Sequence, residues 1–296
     1  MTSGSPRGHA ILATVTRTIL ALHAHPDDES SKGAATVARY VDEGWHAVLV
    51  TATGGEAGDI LNPAMNRPEI TADLKRVREV ELSAAAAIIG YDDVVLLGYR
   101  DSGMPDSDDN ARPDAFCNQD HEVVLGRLVE IVRDIRPDIV LGYDSHEFYP
   151  HPDHLFIHRL SVDLIDAAAD EDRFPAAGPP WQVKKLYAPV FTMDRIAALH
   201  DAMMERTGSS PFVGWMERLD GIESPRRIVT KVDVRGYVEQ GRDALRAHAT
   251  QVDPDGFWFM VPTDLVEEVY PWEDFELLAS TTDPIPGERE LSDGLP

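Results

Sequence analysis

Cysteine is almost missing: Cys117 is the one thiol among 296 residues. No internal disulfide can form and no cysteine cluster can hold a metal, so a reducing cytoplasm is the expected location. Long apolar runs are missing too. No stretch approaches the roughly 18 apolar residues of a bilayer-spanning helix, and the N-terminal MTSGSPRGHA has no apolar core of a signal peptide, so no membrane partner is expected. Basic residues are scarce, with 27 Lys and Arg against 52 Asp and Glu and a formal net charge of −25. Such a surface repels phosphate backbones and anionic lipid, which excludes nucleic acid as a partner. The acidity serves solubility as readily as it would attract a substrate. What is present is 43% hydrophobic content, ample for a sizeable core.

The apolar pattern alternates between short strands and longer helices. TILALHA over 18–24 reads as a buried strand running out into His-Pro-Asp-Asp. A helix is predicted over 32–43 with Gly44 as its stop, then a strand over 47–51 and a flexible Thr53-Gly-Gly-Glu-Ala-Gly turn. A helix over 72–89, a strand over 94–97, a polar loop over 101–114 and a helix over 122–136 follow. A strand over 139–143, a helix over 153–169 and a strand over 185–191 complete the regular part. Strands alternating with helices imply βαβ units. The expected fold class is therefore α/β: a Rossmann-like, mostly parallel sheet with helices on both faces and a C-terminal α/β elaboration. Residues 1–192 are expected to form the catalytic core, 193–280 a cap packed on it, and 281–296, polar and rich in Pro and Gly, a disordered tail.

Two clusters carry chemistry. His25-Pro26-Asp27-Asp28-Glu29 stands where the first strand ends, and ligands of open α/β sheets bind beyond the carboxyl ends of strands. Taken alone it also reads as a helix-capping loop, since Asp27, Asp28 or Ser30 can each cap the next helix. The second, His151-Pro152-Asp153-His154, follows the strand over 139–143 and echoes the first. Two such loops on one crevice point to a metal. A catalytic zinc needs three protein ligands and an open position, a count that His25, Asp28 and His154 fill. Asp27 and His151 remain beside the metal, and an unligated carboxylate there is a natural general base. His23 reads as a core or supporting histidine.

The strings AHPDDES, TGGEAGDILNPAM, GYRDSGMP and YPHPDH resemble the LmbE-like or PIG-L-like zinc deacetylase superfamily. FPAAGPPWQVKKLY, SSPFVGWM and DALRAHATQVDP resemble, within it, the actinobacterial mycothiol S-conjugate amidases. The resemblance runs from about residue 19 to 276 and implies one Zn²⁺ per chain on His25, Asp28 and His154, with Asp27 as base. It further implies an oxyanion-stabilising Tyr149, an electrostatic or acid role for His151, and Asp153 orienting His151. Lys32, Asp59, Arg78 and Asp101 match substrate-binding positions, Lys32 toward the cysteinyl part and the others toward sugar or inositol hydroxyls. Each has a plainer reading: a solvated helix lysine, a turn residue, surface ion pairs. His248 and Gln251 match pocket-side positions but equally suit packing in a helix. A two-His, one-carboxylate site also accepts Fe²⁺ or another divalent ion.

The implied activity is hydrolysis of the amide between glucosaminyl-inositol and the N-acetylcysteinyl part of a small-molecule thiol-sugar conjugate. The N-acetylglucosaminyl-inositol deacetylase of mycothiol biosynthesis is the alternative, and a non-catalytic sugar-conjugate binding protein is one of another class. The chain departs from the family at His146-Glu147-Phe148, bulky residues where relatives carry an Asn-Gly-Gly-like run. That departure implies a reshaped pocket beside Tyr149 and leaves open a pathway-specific substrate, such as an adduct handled in antibiotic assembly.

Overall fold

The computed structural model describes residues 16–145, 149–219, 229–283 and 285–296, so His146-Glu147-Phe148 lies outside the described residues. Its first half runs β1 (Thr18–His23), α1 (Asp28–Ser31), α2 (Ala34–Asp42), β2 (His46–Thr53), α3 (Pro68–Thr71), α4 (Leu74–Ile89), β3 (Asp93–Tyr99), α5 (His121–Ile135) and β4 (Ile139–Leu141). The second half runs α6 (Pro152–Ala169), β5 (Lys185–Val190), α7 (Met193–Thr207), α8 (Val213–Leu219), β6 (Val229–Asp233), α9 (Val238–Ala247), α10 (Thr263–Val269) and β7 (Trp272–Ser280). Among the described residues no helix is long and apolar enough to cross a membrane.

The strands form one mixed sheet in the order β3-β2-β1-β4-β5-β7-β6, parallel from β3 through β5. Alternation along β1 shows why its sequence is continuously apolar. Ile19 and Ala21 pack with α2 and α4 on one face, while Leu20 and Leu22 pack with α5 and α6 on the other. The chain winds one way from β1 to β3 and then crosses to β4 and β5 on the other side. The carboxyl ends of β1 and β4 therefore flank a topological switch point, where a crevice opens.

Two expectations are corrected here. The helix foreseen over 32–43 is broken, because Gly33 adopts a left-handed φ of 84° and leaves Lys32 extended between α1 and α2. The C-terminal tail is also not a solvated strand of chain. Leu291 is fully buried against the α2 and α4 side of the core, and its N–H donates to Tyr40 Oη at 2.8 Å. Glu288 is buried on Lys185 Nζ at 2.7 Å and on Tyr187 Oη at 2.9 Å. One apolar and one acidic anchor are invisible to composition, since their partners lie far away in sequence. The region over 193–280 contributes β7, antiparallel to β5, and β6 beyond it, so the sheet continues through the elaboration.

Candidate active site

The chemistry-bearing residues converge on the carboxyl ends of β1 to β4. Beyond β1 the backbone N–H groups of Ala24 and His25 donate to Asp28 Oδ2 at 3.1 and 2.8 Å, fixing that carboxylate inside the loop. His154, in the first turn of α6, brings Nε2 to 3.2 Å from His25 Nδ1 and 3.3 Å from Asp28 Oδ1. His25 Nδ1 stands 3.6 Å from Asp28 Oδ2. Ligands about 2.0–2.1 Å from a tetrahedral zinc are separated by about 3.3 Å, a spacing the two histidine nitrogens match, while Asp28 turns a different oxygen toward each of them. The donor set, two imidazoles and a carboxylate, suits that ion. His151 joins His25 and His154 in a group with ligand atoms within 4.8 Å, and a second such group comprises His25, Asp101, His151 and Asp153.

The other nitrogen of His25 is held from behind. Nε2 faces Asp153 Oδ2 at 3.2 Å and Asp101 Oδ1 at 3.4 Å. A proton on Nε2 shared with these carboxylates leaves the Nδ1 lone pair directed at Asp28 and His154, the arrangement that orients a metal-binding imidazole. Burial works against a charged His25, yet Asp101, Asp153 and Asp28 outweigh it and raise its pKa well above the usual value. The crevice calls for positive charge. Asp153 was expected to orient His151, but its carboxylate sits on His25 and on the N–H of Ser102 at 3.0 Å. Only its backbone N–H reaches His151, donating to Nδ1 at 3.2 Å. The reason is that His151 caps α6, which turns the Asp153 side chain inward.

Asp27 is the partly buried corner, with 28% of its side chain open, in a left-handed backbone conformation at φ 112°. Burial of the group raises its pKa to about 6 against the opposing pull of Arg78. Arg78 itself is buried. Its guanidinium donates to Gly55 O at 2.6 Å and to Pro26 O, and lies 3.3 Å from Asp27 Oδ2. It thus supports the catalytic loop from beneath instead of standing open to sugar hydroxyls. A Cβ on Gly55 would fall 2.3 Å from that guanidinium, so the Gly-Gly turn exists to let arginine through. Asp101 is likewise internal, accepting from the N–H groups of Ala57 and Gly103 at 3.1 and 2.9 Å. Asp59 is exposed.

His151 packs edge-on against His25 with ring centroids 4.5 Å apart. Burial, with His25 and His154 nearby, lowers its pKa to about 4 and keeps it neutral near pH 7. Tyr149 is half exposed with its ring 5.7 Å from His154. Burial raises its phenol pKa, so it stays a hydrogen-bond donor. Lys32 Nζ lies 4.1 Å from the centroid of Tyr143, whose ring stacks on His154 at 4.3 Å. His23 is buried edge-on against Tyr143, a core position.

Tyr143 and Ser102 were missed from sequence, although Ser102 lies inside the GYRDSGMP string. Glu29 was also missed: it is fully buried and paired with His248 Nε2 at 2.6 Å. Gln251 is buried, and its amide donates to Thr250 Oγ1 at 3.0 Å.

Residues 20–165 match the family described as PIG-L, GlcNAc-PI de-N-acetylase. The chain is 39% identical to the mycothiol S-conjugate amidase of Streptomyces coelicolor, over 94% of this chain and 97% of that one. It is 38% identical to the 1D-myo-inositol 2-acetamido-2-deoxy-alpha-D-glucopyranoside deacetylase of Streptomyces griseus, over 95% of this chain and 89% of that one. Its fold resembles that of N,N'-diacetylchitobiose deacetylase from Pyrococcus horikoshii, with a TM-score of 0.61 at 18% identity, covering 89% of this chain and 84% of that one. With relatives so similar along nearly the whole length, the chain belongs to the PIG-L family and is a hydrolase of amide bonds.

Proposed function

We propose that this protein is a zinc-dependent amidase that cleaves mycothiol S-conjugates between glucosaminyl-inositol and the N-acetylcysteinyl group. The observation that carries the reading is the convergence of His25 and His154 on the Asp28 carboxylate, with Asp27 beside them. His25, Asp28 and His154 would hold the ion, and His151 stays beside them as a neutral imidazole. Zinc bound there supplies a Lewis acid for the carbonyl and acidifies water.

Asp27, with a pKa near the working range, takes the proton from the attacking water. Water oxygen adds to the amide carbon, and Tyr149 donates a hydrogen bond to the oxyanion that develops. The carbon–nitrogen bond then breaks. Asp27 returns its proton to the departing amine, a duty that the low pKa of His151 leaves to the carboxylic acid. The products are glucosaminyl-inositol and a mercapturic acid. Lys32 favours the larger acyl group, because its ammonium, over the Tyr143 ring that stacks on His154, can donate to the N-acetyl carbonyl of the cysteinyl part.

The deacetylase of mycothiol synthesis is a second reading, supported by the similar identity to the Streptomyces griseus deacetylase. Mass analysis of products after incubating metal-loaded protein with an S-conjugate tests the choice. Paired appearance of glucosaminyl-inositol and the mercapturic acid supports the amidase, while an intact conjugate together with acetate release from N-acetylglucosaminyl-inositol supports the deacetylase.

A further inference from the structure

Asp27 holds a backbone conformation that L-residues avoid, and such a conformation persists only where its surroundings over-determine it. Its carbonyl accepts from the N–H groups of Ser30 and Ser31 at 3.1 and 3.0 Å. Its own N–H donates to Glu29 Oε2 at 3.0 Å. The other oxygen of Glu29 receives His248 Nε2 at 2.6 Å and the Ser30 hydroxyl. Glu29 and His248 are fully buried, so the carboxylate has no water to replace a lost partner.

His248 is itself anchored through its neighbours. It follows α9, and the turn after it is pinned to α4 by Thr250, whose N–H and hydroxyl donate to Glu81 at 2.9 and 2.7 Å. The same turn is tied to the loop after β2, since Asn62 Nδ2 donates to Ala249 O at 3.0 Å and Leu61 N to Thr250 O at 2.8 Å. The C-terminal part of the chain therefore reaches across α2 and α4 to hold one carboxylate beneath the catalytic loop.

We propose that His248 is a positioning residue: through Glu29 it fixes the backbone of Asp27 and thereby aims the Asp27 carboxylate at the reacting centre. This rests on Asp27 being the general base. Without His248, Glu29 keeps only a hydroxyl on that oxygen, turns toward a new partner and releases the Asp27 N–H. Misplacement of a reacting group by about 1 Å can cost on the order of 10²-fold in rate.

A double-mutant cycle tests it, with kcat, KM and bound metal measured for each purified protein. His248→Leu is expected to lower kcat by about 10–100-fold with KM and metal content unchanged, and His248→Gln, which retains a donor, to recover most of the loss. In an Asp27→Asn background, His248→Leu should cause no further fall. An equal fall in both backgrounds, or a native kcat in His248→Leu, overturns the proposal. Should the leucine variant be insoluble, His248→Asn, too short to reach Glu29, carries the same expectations. Native turnover in Asp27→Asn alone instead overturns the assignment of the base, a separate and distinguishable result.

Discussion

His154 Nε2 faces His25 Nδ1 at 3.2 Å, and both nitrogens border the Asp28 carboxylate. A proton bridges the two nitrogens as a hydrogen bond, and a metal ion held by the same groups would take its place. If His25, Asp28 and His154 hold the ion, each supplies one of its three protein ligands. Replacing His25, Asp28 or His154 with Ala is expected to strip zinc and activity together, as elemental analysis and amine-release assays would show. Full metal occupancy in His154→Ala would remove it from the ligand set.

Asp27 touches Arg78 and stands beside the His25, Asp28 and His154 cluster without belonging to it. Asp27→Asn preserves shape but cannot accept the proton. The expected result is retained metal with kcat lowered by on the order of 10²–10⁴. Near-native turnover in this variant would move the base elsewhere.

Lys32 is held extended by the break at Gly33 and lies over Tyr143. If its ammonium contacts the cysteinyl part, Lys32→Ser should lower kcat/KM for an S-conjugate about tenfold or more, the worth of a charged hydrogen bond at about 1.5–3 kcal/mol. N-acetylglucosaminyl-inositol should be spared. Equal losses on both substrates would mean that Lys32 supports the metal site.

The tail anchor has its own signature. Lys185 and Glu288 form an ion pair sealed from solvent, so Glu288→Ala strands a buried ammonium and should cost about 3–5 kcal/mol in urea unfolding. The double variant Lys185→Met/Glu288→Leu should recover much of that. An unchanged unfolding midpoint in Glu288→Ala would show that the Lys185–Glu288 pair contributes nothing to stability.

Local patterns carried the parallel half of the molecule, because β1, β2 and β4 bury both faces and α4 and α5 end at clear stops, Gly90 and the residue before Pro137. The converging cluster was legible for the related reason that its histidines and aspartates lie in two short loops at strand ends. Partners fixed by the fold were not legible. Asp153 serves His25, whose position 128 residues away no spacing rule connects to it. Arg78 reads as a surface helix residue until the Gly54-Gly55 turn is seen to admit it. Glu288 and Leu291 sit in a polar segment whose burial depends on Lys185 and Tyr40.

The most direct measurement compares kcat/KM for a mycothiol S-conjugate and for N-acetylglucosaminyl-inositol, by primary-amine release, on metal-stripped and zinc-restored protein. The account predicts no release without metal, recovery on adding zinc, and faster cleavage of the S-conjugate. Equal release after stripping would contradict the metal-dependent mechanism, and preference for N-acetylglucosaminyl-inositol would contradict the amidase assignment.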